Sequence, residues 1–189
     1  GGSLLLWRDY FPKGSVVGID IHMRVDLSGE ERVQVFQGSQ ADTRFLTEVA
    51  LQTAPEGFDI IIDDASHFGD LTKIAFWHLF DNHLKPSGLY VIEDWGTGYW
   101  SDWPDGKTYR PPSENWFSLL SLLKRFGIVS RIPFYSHPYG MVGFIKELVD
   151  EQGAADLTRA RLTGTAARGS KFESMTITPS IVFIKKRRS

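Results

Sequence analysis

FDIIIDDASH, residues 58–67, is the stretch that decides the fold. Its β-forming residues end in two adjacent carboxylates, and His67 follows three residues after the second of them. A similar run, GLYVIEDW at residues 88–95, ends in a glutamate and an aspartate. Carboxylates are costly to bury and seldom end a hydrophobic strand by chance. Two such strand ends, about 30 residues apart, therefore indicate a functional site.

Strands and helices alternate outward from this stretch. Strands are predicted at residues 15–20, 32–36, 58–64 and 89–94, the last after a turn at 86–88, and helices at 3–11 (with Ser3 as N-cap), 42–53, 70–82, 114–126 and 141–151. This order predicts a three-layer α/β sandwich with a largely parallel sheet. Continuously apolar strand centres agree, because parallel strands are covered on both faces. Residues 172–178 and 180–186 predict a closing antiparallel hairpin.

Composition limits the class of protein. The 189 residues are 42% apolar and 23% charged, as expected for one globular domain of 1–189. A net charge of −2 gives no reason to expect nucleic acid as a partner. The chain has no cysteine, which excludes disulfides, zinc thiolate sites and thiol nucleophiles. The sequence has no membrane-length apolar run and no basic leader segment, so a cytoplasmic setting is expected.

The acids Asp64, Glu93 and Asp94 are predicted to meet at one edge of the sheet. Ends of neighbouring strands lie about 5 Å apart, so up to three negative charges would converge there. Such a cluster is unstable unless a cation neutralises it or one acid takes up a proton. Magnesium accepts oxygen ligands and keeps positions open for substrate oxygens. The alternative, in which each acid separately caps a helix or pairs with Lys or Arg, stays open.

Two further residues are candidates for chemistry. His67 is close enough in sequence to Asp64 to share its site, and an imidazole can take a proton from a hydroxyl held on a metal. The alternative is a surface role at the start of a helix. Asp20 ends the strand 15–20, where a carboxylate can accept hydrogen bonds from two ribose hydroxyls. Its alternative role is to cap the next turn.

Two segments have no regular pattern that predicts their role. Residues 95–112 form a long loop rich in aromatic residues, expected to border the active site. Its aromatic side chains could stack on a sugar or planar acceptor, or equally pack on the next helix or a neighbouring subunit; they are Trp95, Tyr99, Trp100 and Trp103. Residues 128–171 are expected to form a lid or an oligomer contact.

These motifs together resemble the metal-dependent, S-adenosylmethionine-dependent sugar O-methyltransferases of macrolide and polyketide antibiotic tailoring, including the mycinamicin, tylosin and elloramycin types. The resemblance covers roughly residues 1–127 and the closing hairpin. The matching stretches are GGSL (1–4), WRDYFP (7–12), VGIDI (17–21), GSQAD (38–42), FDIIIDDASH (58–67) and LYVIEDW (89–95). The combination of Asp-Asp-x-Ser-His with Glu-Asp is its most specific part.

The resemblance implies a Rossmann-like class I methyltransferase fold and a role for each matched residue. It implies that Mg²⁺ is bound by Asp64, Glu93 and Asp94, and that His67 is the general base. For S-adenosylmethionine it implies contacts from Gly2 and Ser3 at the methionine end, Asp20 at the ribose, and Ser39, Gln40 and Asp42 at the adenine. Asp63 is grouped with these cofactor-binding residues, although no contact of its own is assigned.

The resemblance also sets the expected function and its limits. The expectation is an O-methyltransferase that methylates a sugar hydroxyl on a natural product and forms homo-oligomers. The chain begins inside the family's Glu-x-Gly motif, so the first, central strand is expected to be missing and the domain N-terminally incomplete. The alternatives are a catechol-type small-molecule O-methyltransferase, with a narrow slot for two hydroxyls, and a non-catalytic methyltransferase-like binding subunit.

Overall fold

The computed structural model describes residues 2–23, 26–107, 114–127 and 137–188. Its helices are α1 (Gly2–Tyr10), α2 (Thr43–Thr53), α3 (Gly69–Asn82), α4 (Glu114–Arg125), α5 (Gly140–Gln152) and α6 (Ala154–Leu157). Its strands are β1 (Val16–Asp20), β2 (Val33–Gln37), β3 (Phe58–Asp63), β4 (Leu84–Glu93), β5 (Phe172–Ile177) and β6 (Ile181–Lys186). Short 3₁₀ helices cover Trp95–Tyr99 and Pro104–Gly106. None of the helices in these ranges is both long and apolar enough to cross a membrane.

The strands form two sheets. Strands β1 and β2 pair in parallel, and a four-stranded sheet has the order β3-β4-β6-β5. In the larger sheet β3 and β4 are parallel, while β6 runs antiparallel to both β4 and β5. The predicted α/β class and the C-terminal hairpin are thus confirmed. No backbone ladder joins β1 to β3 among the described residues.

The hydrophobic core lies between the larger sheet and the helices α3 and α5. It consists mainly of aromatic and aliphatic side chains: Phe76, Phe80, Tyr90, Ile92, Phe144, Leu148, Phe172, Val182 and Ile184. Helix α5 lies within the range 128–171, which the sequence led us to expect as a lid or an oligomer contact, and the structure places its apolar face in the core. Residues 128–136 of that range lie outside the described residues.

Two boundaries differ from the sequence predictions. Ser3 is not an N-cap, because α1 already begins at Gly2. Strand β4 begins at Leu84 rather than after a turn at 86–88. The proline and glycine there are accommodated as an irregularity, since the pairing with β3 shifts between Phe58↔Leu84 and Ile60↔Leu89. Pairing with a neighbouring strand has overridden the local turn signal.

Hydrogen bonds to the buried carboxylate of Glu151 connect residues 153–171 to α5. The side chain of Glu151 is 8% exposed, and its two oxygens accept hydrogen bonds from Arg168 Nη1 at 2.7 Å and Nη2 at 2.5 Å. The backbone N–H of Lys171 donates to the same carboxylate at 2.9 Å. The hydrogen bonds from Arg168 lower the pKa of Glu151. A segment of polar sequence is thereby attached to the core.

We expect Arg168→Met to lower the free energy of unfolding at neutral pH, because it leaves the mostly buried carboxylate of Glu151 without its two guanidinium hydrogen bonds. Because the pKa of Glu151 is lowered, this stabilisation is present above the ordinary glutamate pKa of about 4.3 and is lost as the pH falls through the lowered value. Urea unfolding near neutral pH and near pH 3 measures the loss of stability and its dependence on pH. Arg159→Met removes an exposed ion pair and is the control. Equal losses in the two variants would contradict the assignment.

Candidate cofactor and metal site

Three ionisable side chains meet beyond the carboxyl ends of β3 and β4. Asp64 directly follows β3 and Asp94 directly follows β4, and these two strands are adjacent and parallel. His67 Nε2 lies 3.8 Å from Asp64 Oδ1 and 4.0 Å from Asp94 Oδ2. One ligand atom from each of the three residues lies within 4.8 Å of the other two. The structure therefore brings both acidic strand ends and the histidine to one place.

Glu93 borders this group. It is the last residue of β4 and is half-buried. Burial raises its pKa, and the nearby charges of Asp64 and Asp94 raise it further. The three ligand atoms that lie closest together come from Asp64, His67 and Asp94, whereas the sequence led us to expect Asp64, Glu93 and Asp94 as ligands. All four residues share one electrostatic environment.

Both His67 and Asp94 have left-handed backbones, with φ of +52° and +51°. This conformation costs a residue other than glycine roughly 1–2 kcal/mol and persists only where neighbouring contacts enforce it. For His67 the contacts come from the aromatic loop: its carbonyl oxygen accepts a hydrogen bond from Trp103 Nε1 at 3.1 Å and one from Thr97 Oγ1 at 3.4 Å. The sequence assigned no role to Thr97, because the contact of its hydroxyl with His67 joins residues 30 positions apart.

Asp63 faces the core rather than the site. It is 8% exposed and accepts a hydrogen bond from the buried Tyr90 hydroxyl at 3.3 Å. Burial raises the pKa of Asp63 to about 6, despite hydrogen bonds from the Ala65 backbone and from Tyr90 that lower it. The two adjacent aspartates at the end of β3 thus differ, because Asp63 faces the core and Asp64 lies exposed beside His67.

The residues expected to contact a cofactor lie at the ends of β1 and β2 and at the start of α1. Asp20 Oδ1 accepts the backbone N–H of His22 at 2.9 Å, as in the turn-capping alternative. Ser39 Oγ accepts the N–H of Ala41 at 3.2 Å. Asp42 is the N-cap of α2, because its Oδ1 accepts hydrogen bonds from two backbone amides of the first turn. Gly2 and Ser3 are exposed at the start of α1.

Gln40 links the two sheets and has an unsatisfied donor. It follows β2, and its Oε1 accepts the backbone N–H of Ser66, beyond β3, at 3.0 Å. Its Nε2 is buried and has no hydrogen-bond partner among the described residues. A buried polar group without a partner carries a desolvation cost of about 1–3 kcal/mol. The Gln40 amide would therefore gain from a ligand that presents an acceptor at this position.

Three of the aromatic residues of the loop have structural contacts, and the Tyr99 ring packs between those of Trp95 and His137, at centroid distances of 6.3 and 5.5 Å. Trp95 Nε1 donates to the carbonyl of Thr178 at 2.9 Å, and Trp103 Nε1 donates to that of His67. Trp100, by contrast, is 55% exposed. Trp95 and Trp103 therefore pack within this domain, and Trp100 presents its ring to solvent. Residues 108–112 of the loop lie outside the described residues.

Comparison with known proteins identifies relatives of this chain. No family model matches the chain. It is 35% identical over 170 residues to mycinamicin VI 2''-O-methyltransferase of Micromonospora griseorubida, covering 81% of this chain and 41% of that protein. It is 41% identical over 123 residues to 8-demethyl-8-(2-methoxy-α-L-rhamnosyl)-tetracenomycin-C 3'-O-methyltransferase of Streptomyces olivaceus, covering 65% of this chain and 30% of that protein. The chain is a homologue of sugar O-methyltransferases.

The solved structure of one methyltransferase matches the whole chain. The MycE methyltransferase from the mycinamycin biosynthetic pathway, in complex with Mg and SAH, superposes with a TM-score of 0.68 at 29% identity, over 100% of this chain and 41% of that one. The resemblance and the fold class inferred from the sequence are confirmed. The chain spans less than half the length of the sugar O-methyltransferases it matches.

Proposed function

We propose that the protein transfers a methyl group from S-adenosylmethionine to a sugar hydroxyl of a natural product, with Mg²⁺ as a second cofactor. The observation that carries this proposal is the meeting of Asp64, His67 and Asp94 beyond two parallel strands. Support comes from the relatives, which are named as O-methyltransferases of sugar-bearing antibiotics, and from MycE, which was crystallised with Mg, SAH and mycinamycin VI.

The chemistry of the donors fits magnesium. Asp64 and Asp94 offer exposed carboxylate oxygens, and Glu93 lies within their electrostatic reach. Hard cations prefer oxygen ligands, whereas imidazole suits transition metals better. We therefore assign Mg²⁺ to the three carboxylates and leave the His67 imidazole available for proton transfer. A bound dication would also remove the repulsion among the acids.

His67 is proposed to take the proton of the acceptor hydroxyl. Its imidazole is mostly buried, with 17% of the side chain exposed, and its Nε2 faces both aspartates. The imidazole therefore lies beside the two carboxylates that would hold the metal. When bound, Mg²⁺ would lower the pKa of the acceptor hydroxyl and the adenosyl cofactor would supply the methyl group. The protein's own contribution is then to position the base and the acceptor.

The cofactor is proposed to lie along the ends of β1 and β2. Asp20 would accept hydrogen bonds from the ribose, and the buried Nε2 of Gln40 would donate to the adenosyl group. Ser39 and Asp42 would border the adenine through the loop that leads into α2. The exposed start of α1, with Gly2 and Ser3, would approach the methionine end. Asp63 stays a predicted cofactor neighbour with no contact assigned.

Assembly and location complete the proposal. We propose a homo-oligomer, and the large apolar side chains exposed on α1, Leu6 at 61% and Tyr10 at 70%, support a contact between subunits. We propose a cytoplasmic location, as expected from the sequence. The half-exposed aspartates and the exposed Trp100 favour a wide acceptor cleft, and so a sugar over a catechol.

Methyl transfer to defined acceptors tests the function. The purified protein is incubated with radiolabelled S-adenosylmethionine and either mycinamicin VI or a catechol, with Mg²⁺ or with EDTA. Label on a sugar hydroxyl that appears only with Mg²⁺ is the expected result. Label on the catechol alone would replace the sugar assignment. Binding of S-adenosylhomocysteine without transfer to any acceptor would indicate a binding subunit, and absence of binding would refute the methyltransferase assignment.

Asp20→Ala is expected to weaken S-adenosylhomocysteine binding by about 10- to 100-fold, because hydrogen bonds to a charged group contribute about 1.5–3 kcal/mol. Isothermal titration calorimetry measures the dissociation constant directly. Asp26→Ala is the matched control, since this exposed acid follows the same strand and caps only its own turn. An unchanged affinity in Asp20→Ala would leave Asp20 with its turn-capping role alone.

A further inference from the structure

One carboxylate caps two helices. Asp105, in the short 3₁₀ helix Pro104–Gly106, accepts the backbone N–H of Gly69 at 2.7 Å and that of Met141 at 2.8 Å, both with its Oδ2. These amides lie at the starts of α3 and α5, where backbone donors lack partners within the helix. Neither helix has a side-chain cap of its own. Asp105 therefore takes the place of two N-caps and complements two helix dipoles.

The two helix starts are also in direct backbone contact. A Cβ on Gly69 would lie 2.2 Å from the carbonyl carbon of Gly140, so only glycine fits there. Gly140 has a φ of +55°, and a Cβ on it would lie 2.5 Å from the Asp105 carboxylate. The starts of α3 and α5 are therefore in close backbone contact, and the Asp105 carboxylate lies beside both of them.

The same loop holds the backbone of His67, two residues before α3. Trp103, directly before the 3₁₀ helix that carries Asp105, donates its indole N–H to the His67 carbonyl. Its ring also packs beside the rings of His67 and Phe68, at centroid distances of 6.1 and 5.7 Å. Trp103 acts on the left-handed residue itself and Asp105 acts on the segment that follows it. Together they hold the His67 carbonyl and the segment that follows it.

We propose that Asp105 and Trp103 are positioning residues for His67: by bonding the helix start at Gly69 and the His67 carbonyl, they hold the imidazole against Asp64 and Asp94. This inference rests on the proposed function for its effect on catalysis. It deepens that proposal, because it assigns the placement of the base to a loop about 35 residues further along the chain. Neither residue contacts the reacting atoms in this assignment.

The test compares variants of Asp105 and Trp103 at a temperature where all are folded by circular dichroism. Asp105→Ala is expected to lower kcat for methyl transfer by about 10- to 100-fold, because a base displaced by about 1 Å loses that much. The KM for S-adenosylmethionine should stay within about twofold of wild type. Asp105 and Trp103 hydrogen-bond to Gly69, Met141 and His67, which are not among the residues proposed to contact the cofactor. Asp105→Asn keeps an acceptor oxygen and should recover kcat to within about threefold. Asp102→Ala, an exposed acid of the same loop, is the control.

A second readout does not depend on activity. The ¹H–¹⁵N signals of the His67 imidazole, assigned with His67→Gln and recorded at one pH near neutrality, should shift or broaden in Asp105→Ala and Trp103→Phe but not in Asp102→Ala. Folded Asp105→Ala with wild-type kcat, or with unchanged His67 signals, would overturn the proposal. If the wild-type protein transfers no methyl group but the His67 signals respond as expected, the proposed function fails and the positioning role stands.

Discussion

In the His67→Ala variant, we expect kcat for methyl transfer to fall by about 100- to 10,000-fold while the affinity for S-adenosylhomocysteine stays within about twofold of wild type. The imidazole is the one base among the described residues that lies between both strand-end aspartates. Without it, solvent must take the proton, so the residual rate should rise with hydroxide concentration. Steady-state kinetics from about pH 6 to 9 and calorimetry measure the two quantities.

A matched histidine separates this effect from a general one. His22 is exposed after β1 and contacts Asp20 through its backbone N–H, so removal of its side chain in His22→Ala should keep wild-type kcat. Normal turnover in His67→Ala would refute the general-base role. A parallel loss of cofactor affinity would instead assign His67 to the structure of the cofactor site.

Asp64→Asn is expected to abolish the effect of Mg²⁺ on thermal stability. For a protein of this size, Mg²⁺ at 100 times its dissociation constant should raise the unfolding midpoint of the wild type by about 5–10 °C. Without metal, Asp64→Asn should melt above the wild type, because one charge of a repelling group is gone; Asp64 is a cause of the raised pKa of Glu93. Methyl transfer should fall by about a hundredfold or more.

Differential scanning calorimetry with and without Mg²⁺ makes this comparison. Glu56→Gln makes the same charge change at an exposed position before β3 and should keep the full Mg²⁺ response. A Mg²⁺-induced increase that survives in Asp64→Asn would contradict the metal assignment. A variant that melts below the wild type in EDTA would show that Asp64 stabilises the fold by itself.

Local sequence predicted the elements that carry the site. The apolar run at residues 60–62, followed by an acid pair, predicted a strand that ends in carboxylates, and β3 ends at Asp63 with Asp64 next in the chain. The expected cover on both faces is wrong at Ile60, which is 41% exposed. Asp42 was expected where helix α2 begins, and it is the N-cap. These features depend on side-chain periodicity and on capping chemistry, which act within a few residues.

The features of the fold and the site that were not predicted depend on contacts between residues that are distant in the sequence. Nothing in the stretch Asp63–Asp64 distinguishes the aspartate that is buried beside Tyr90 from the one that is exposed, because alternation along a strand becomes meaningful only when the covered face is known. The double capping by Asp105 joins residues 36 positions apart on both sides. A turn signal at 86–88 was overridden by pairing with β3. Tertiary packing decides such cases.

The hydrogen bond from Ser66 to Gln40 has a thermodynamic consequence. It joins the loop after β2, on the side proposed for the cofactor, to the loop that carries Asp64 and His67. A ligand that accepts from the Gln40 amide would order that amide, and with it the Ser66 backbone beside the acids. A cation bound by those acids would order the Ser66 backbone, and so the same hydrogen bond to Gln40. The two binding equilibria would then be linked, each ligand raising the affinity for the other by the same factor.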